Sequence, residues 1–145
     1  MSKIHEVKVA ASIIYHPEYY IIHRRTEGVD TGETNKLGIY GGKPEDEDET
    51  TLDTAVRELY EESGILLPRK NFVRPDNQTI FAVSESKGEK IITEADIFIA
   101  NIPFDLTSDQ FKYGEAMTFD ELRRAKALGE LTSVALEALT KFVGI

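Results

Sequence analysis

The sequence predicts an α/β chain of the α+β type, a mixed β-sheet flanked by helices. Three observations carry this. Strand-like and helix-like segments interleave without the regular βαβ rhythm of a parallel sheet. A helix-patterned stretch with a capping signal at each end occupies the middle of the chain. The composition, 41% hydrophobic and 30% charged over 145 residues, is that of a globular chain long enough to bury a core as a single domain over residues 1–145.

Residues 7–15 are apolar and rich in β-branched side chains, which predicts a largely buried strand. His16-Pro17-Glu18 is a turn signal and residues 19–24 resume as a strand, so the pair reads as a hairpin. Residues 27–36 are polar and carry two glycines, a loop pattern, and residues 37–40 run as a short apolar piece into Gly41-Gly42. Thr50 is a good N-cap with Asp53 three residues on, and Leu52, Ala55, Val56 and Leu59 form an apolar stripe. Gly64 stands where a C′ glycine ends a helix. Strands are expected over 79–83 and 91–102, joined by a polar turn over 84–90, followed by helices over 119–128 and 133–142.

A formal net charge of −9 argues against general affinity for nucleic acid polymers or anionic membranes, which reward excess Lys and Arg. A small anionic ligand stays compatible, because a bound metal reverses the local sign. Cysteine is absent, which excludes disulfides and thiolate chemistry. No apolar run approaches the length of a membrane span, and the N-terminus lacks a secretory layout, so a cytoplasmic location is expected. A homodimer is compatible with the sequence.

Chemistry concentrates in residues 41–65. Glu58, Glu61 and Glu62 stand at i, i+3 and i+4, so a helix presents them on one face. Like charges so placed repel by a few tenths of a kcal/mol per pair, and a hard divalent cation is the natural neutraliser. The glycine pair Gly41-Gly42, the acidic run 45–49, Arg57-Glu58-Leu59, Glu61-Glu62 and Gly64-Ile65 together resemble the box of the Nudix hydrolases, Gly-x5-Glu-x7-Arg-Glu-U-x-Glu-Glu-x-Gly-U, with U bulky and apolar. Seven residues separate Glu49 from Arg57, as in the box. The stretch from Gly42 to Glu49 encloses six residues where the box has five. Residues 35–43, the hairpin end His23-Arg24-Arg25 and Gly114-Glu115-Ala116-Met117 are similar to the MutT-like branch, which usually has proline where this chain has Tyr40.

The resemblance implies a Nudix-like α/β/α sandwich and a pyrophosphohydrolase cleaving a nucleoside diphosphate linked to another moiety, nucleoside triphosphates among the candidates. It implies Mg²⁺ or Mn²⁺ held by Glu58, Glu61 and Glu62, the Gly41 carbonyl and Glu49, an all-oxygen set suited to hard cations. Arg57 would orient the carboxylates, and Glu58 is favoured as the base that takes the proton from water. Glu94, Asp109 and Glu115 are candidates for a base from elsewhere in the chain. Arg25, and less so Arg24, would grip substrate phosphate.

Other residues have plainer readings. His5, His16 and His23 lack zinc-ligand spacing and are expected at the surface or in turns. Tyr15, Tyr19 and Tyr20 are expected to pack the core, and Thr132 and Ser133 to cap the last helix. The main functional alternative is a Nudix-like module that binds a nucleotide without cleaving it; isomerase chemistry on an isoprenoid diphosphate is disfavoured by the missing cysteine.

Overall fold

The computed structural model describes residues 3–24 and 35–145. Among these, eight strands form one mixed sheet. Its central strand, β1 (Ile4–His16), sends Ala10 and Ile14 into one core and Ala11 and Ile13 into the other. That is the period of two expected of a strand covered on both faces.

β1 lies parallel to β7 (Glu89–Asn101) on one side. On its other side it pairs antiparallel with β2 (Tyr19–Arg24) and β4 (Tyr40–Gly42). β3 (Leu37–Gly38) and β8 (Gly114–Met117) pair with β2, while β5 (Phe72–Val73) and β6 (Thr79–Ser86) pair with successive parts of β7.

The helices follow their apolar stripes. α1 (Thr51–Ser63) buries Ala55 and Leu59 against Ala10, Ile14, Tyr40 and Phe98. On the opposite face α2 (Phe119–Ala127) and α3 (Ser133–Phe142) bury Leu122, Ala125, Ala135, Ala138 and Leu139 against Ala11, Ile13 and Ile97. The layers are therefore α/β/α, as expected. Full burial of one leucine such as Leu59 stabilises by about 1.5–3 kcal/mol, so α1 is fixed to the sheet chiefly by this stripe.

The α1 ends are as the sequence predicts. Thr50 and Asp53 form a reciprocal capping box, and Gly64 closes the helix at φ 81° with its N–H donating to the Tyr60 carbonyl at 2.8 Å. Elsewhere the fold corrects the expectations. The turn expected over 84–90 is only Lys87-Gly88, both at positive φ (53° and 77°), and the strands on either side are longer. His16 is buried at 2% exposure, stacked on Tyr19, with Nε2 against the Phe104 carbonyl and Nδ1 accepting the Glu18 N–H. Tyr19 and Tyr20 pack against the two cores, whereas Tyr15 is exposed. Thr132 caps α3 by accepting the Ala135 N–H. No helix among the described residues is long and apolar enough to cross a membrane.

Candidate active site

The site assembles where α1 crosses β4. Beyond Gly42 the chain turns into the acidic loop, whose Asp48 N–H donates to the Glu45 carbonyl at 2.9 Å while the Glu45 N–H donates to the Asp48 carboxylate at 2.9 Å. This closed turn aims Asp48 back at the helix. Arg57 meets it there. Its Nη2 donates to Asp48 Oδ2 at 2.9 Å and its Nε reaches both carboxylate oxygens at 3.3 Å. The Thr54 hydroxyl donates to the same carboxylate at 3.0 Å. With its side chain only 6% exposed, Asp48 is held well below the usual carboxylate range, at about 2, chiefly by Arg57.

The acid of the run that meets Arg57 at 2.9 Å is Asp48, one residue before Glu49. Counted from Gly42, Asp48 is the residue after five intervening positions, so the additional residue lies between the loop acid and Arg57. Glu49 is exposed, and its backbone N–H donates to the Asp53 carboxylate at 2.9 Å. Asp53 also accepts the Thr50 N–H at 3.0 Å and pairs with Arg69. The extra residue is thus absorbed into the lead of the capping box. Asp48 was missed because five acidic residues in a row offer no local signal to choose among them; only the reach of Arg57 does.

Arg57 links the loop to the helix carboxylates. Its Nη1 lies 3.0 Å from Glu58, 3.1 Å from Glu61 and 3.3 Å from Glu45, and its Nη2 donates to the Lys43 carbonyl at 3.0 Å. One guanidinium, 20% exposed, is therefore shared by four carboxylates. Its pKa is raised, first by Asp48, and it stays charged at any working pH.

Each glutamate of the helix has its own setting. Glu58 is 15% exposed and sits directly over Gly42: a Cβ there would fall 2.4 Å from its Cδ and 2.6 Å from each oxygen. Burial pushes the Glu58 carboxyl upward, with Arg57 acting in the opposite sense. Glu62 Oε1 accepts the Gly41 N–H at 2.8 Å, tying the helix to β4. Glu61 is 54% exposed at the rim. Gly41 has a different need for glycine, since a Cβ would lie 2.5 Å from the Ala10 carbonyl oxygen and from the Ala11 Cβ.

Tyr40, which precedes the pair, is a core residue at 1% exposure; its hydroxyl donates to the Lys112 carbonyl at 2.9 Å and its ring stacks on His23 at 4.6 Å. Burial raises its pKa, with Glu62 adding to the shift.

The remaining candidates are dispersed. Arg24 is engaged by Glu115, Nε to Oε2 at 2.5 Å, and by the Asn35 carbonyl at 3.0 Å, so two sequence candidates satisfy one another. Glu94 stands on β7 beside Lys8 at 3.8 Å. Asp109 accepts the Thr107 hydroxyl in a 3-10 turn. Arg25 lies outside the described residues, as do residues 27–34 of the expected loop.

Among the described residues, no three acidic or histidine side chains converge as a ready metal cluster. The donor chemistry nonetheless fits a hard divalent cation: three carboxylates on one helix face, one of them seated over Gly42 where an added Cβ would displace it. Two hollows adjoin this corner. An open groove of about 750 Å³ follows the outer flank of α1 past Tyr60, Leu66 and Arg69. A smaller cavity of about 330 Å³ meets Gly41, Gly42 and Lys43 from the α3 side of the sheet.

No protein-family model matches the sequence, and none of the curated proteins does. Solved structures do match. The chain superposes on an Ap4A hydrolase of C. elegans with a TM-score of 0.64 at 17% identity, covering 95% of this chain and 96% of that one. It matches a NUDIX hydrolase from Nitrosomonas europaea with a TM-score of 0.65 at 16% identity, covering 96% and 89%. The chain has the Nudix fold.

A bifunctional NMN adenylyltransferase/ADP ribose pyrophosphatase from Francisella tularensis, solved with AMP and a Mn ion, matches with a TM-score of 0.63 at 13% identity; it covers 96% of this chain, which spans 41% of that protein. Glu58, Glu61, Glu62 and Arg57 lie on α1, and Gly41 and Gly42 lie on β4.

Proposed function

We propose that residues 1–145 act as one Nudix hydrolase domain, a metal-dependent pyrophosphohydrolase cleaving a nucleoside diphosphate linked to another moiety. The observation that carries this reading is the seat of Glu58, its carboxylate over Gly42, beside Arg57, with Glu61 and Glu62 on the same helix face.

In this reading Glu58, Glu61, Glu62 and the Gly41 carbonyl hold Mg²⁺ or Mn²⁺; Glu49, exposed beyond Asp48, is a peripheral ligand the reading does not depend on. When bound, the metal supplies neutralisation of phosphoryl charge and lowers the pKa of bound water. Glu58 takes the proton of the attacking water at a carboxylate oxygen. The water oxygen bonds to phosphorus, and the bridging P–O bond breaks with its electron pair on the departing phosphate. Asp48 fixes Arg57, and Arg57 holds Glu58 and Glu61 in register. The Nη1 contacts also keep the carboxylates from splaying under mutual repulsion. Glu115 is engaged by Arg24, which leaves Glu58 the better-supported base. Arg25 stays the candidate for gripping phosphate. A cytoplasmic setting fits a cysteine-free acidic chain acting on soluble nucleotides.

Incubation with Mg²⁺ and a panel of nucleoside triphosphates, dinucleoside polyphosphates and nucleotide sugars in ¹⁸O-labelled water tests the proposal. Label is expected in a phosphate product. Tight nucleotide binding with no metal-dependent turnover would identify a sensor instead.

A further inference from the structure

We infer that Tyr40 is a positioning residue for the metal corner, its hydroxyl tying β4 through the Lys112 backbone to the last turn of α1. This deepens the hydrolase reading above and rests on it. The bonds close a circuit. The Tyr40 hydroxyl donates to the Lys112 carbonyl at 2.9 Å, and the Lys112 N–H donates to the Ser63 carbonyl at 3.0 Å. Ser63 ends α1 and follows Glu62. Glu62 in turn accepts the N–H of Gly41, the residue after Tyr40, at 2.8 Å. Both backbone groups of Lys112 are therefore engaged by the site, one by the helix and one by the strand.

The last turn of α1 needs such a hold. It carries Glu61 and Glu62 where the helix dipole disfavours negative charge, and it contains no basic residue. Its final carbonyls have no partner within the helix, and the Lys112 N–H takes the one from Ser63. The turn that bears two of the proposed ligands is thus the part of α1 most prone to fray, and Lys112 braces it from outside the helix. Packing alone does not call for the hydroxyl. The Tyr40 ring is 1% exposed, lies in the core with Ala55 and Leu59, and stacks on His23; a phenylalanine would fill that space. What the hydroxyl adds is a bond to a carbonyl 72 positions away. The same segment reaches the substrate side. Tyr113 holds φ 61°, which bulky residues rarely adopt. Its carbonyl accepts the N–H of Arg24, the last residue of β2, at 3.2 Å. Lys112 and Tyr113 therefore join the glycine corner to the strand end that leads into Arg25.

Tyr40→Phe keeps the ring and removes the donor. In the metal-free protein, amide hydrogen exchange at Gly41 should quicken by about tenfold more than at Ile14 and Ile97, which lie in the two cores. The Mn²⁺ Kd, read from the free-ion EPR signal, should rise about tenfold, and the Mg²⁺ concentration for half-maximal turnover should rise with it. Thr118→Ala removes the cap of α2 on the opposite layer. It destabilises comparably and should leave the Mn²⁺ Kd and the Gly41-to-core exchange ratio at wild-type values. Lys112→Pro deletes the N–H at the other link, and the extended Phe111 before it accepts a following proline; it serves if Tyr40→Phe does not fold. Exchange at Gly41 that rises no more than in the cores, or an unchanged Mn²⁺ Kd in the folded variant, overturns the inference and leaves the hydrolase reading intact. The expected shifts in exchange and Kd, without turnover of any nucleotide by wild type, would overturn the hydrolase reading alone. A wild type that binds no Mn²⁺ overturns both.

Discussion

Asp48 and Arg57 form the pair on which the candidate site is hung, joined at 2.9 Å through Nη2 and at 3.3 Å through Nε. Asp48 comes from the loop that follows β4 and Arg57 from the second turn of α1, so the pair locks loop to helix. Asp48→Asn should lower stability by about 1–3 kcal/mol, because a largely buried guanidinium loses its main partner. Glu49→Gln should stay within about 0.5 kcal/mol of the parent, as surface changes do. Urea denaturation of the two variants separates these outcomes; equal effects would place the loop acid at Glu49.

The same pair makes a prediction about acid. Its folded pKa of about 2 lies below the ordinary value of 3.8, so the folded state binds this proton less readily than the unfolded chain. The stabilisation from Asp48 is therefore full above the unfolded pKa and is lost as pH falls from about 4 toward 2. Melting curves from pH 6 to pH 2 should show the gap between wild type and Asp48→Asn closing across that window. A gap that stays constant down to pH 2 would contradict the assignment.

Gly42→Ala and Gly41→Ala should part company. At position 42 the new methyl meets the far end of Glu58, a flexible side chain that swings aside. Stability should change little, while kcat falls by about 10²-fold through displacement of the base. At position 41 the methyl meets the Ala10 backbone, so the strands must separate and the melting temperature should drop by several degrees. Both variants need only a thermal melt and an initial rate.

Legibility in the sequence tracked how local each signal was. α1 was readable because Thr50, Asp53 and Gly64 cap it through contacts within a few residues, and its stripe repeats at helical spacing. The site helix was readable for the same reason. β8 was not: Gly114–Met117 is four residues long and half-buried, and it becomes a strand only by pairing with β2 across some ninety positions. The ends of β6 and β7 carry Ser84, Glu85, Glu89 and Lys90, whose polarity resembles a loop until Lys87 and Gly88 take positive φ and close a two-residue hairpin. His16 carried no sign of burial, since its stacking on Tyr19 depends on the hairpin being formed. The choice of Asp48 over Glu49 depends in turn on how far the Arg57 side chain reaches.

The central claim is that Glu58, seated over Gly42, does the proton transfer at a metal site. The most direct measurement is the Mg²⁺-dependent turnover of wild type against Glu58→Gln on the best substrate of the panel, with nucleotide binding measured in parallel. Wild-type turnover should vanish on chelation, and kcat should fall by about 10²–10⁴-fold in the variant with binding retained. Turnover indifferent to chelation, or a Glu58→Gln enzyme as fast as the parent, would contradict it.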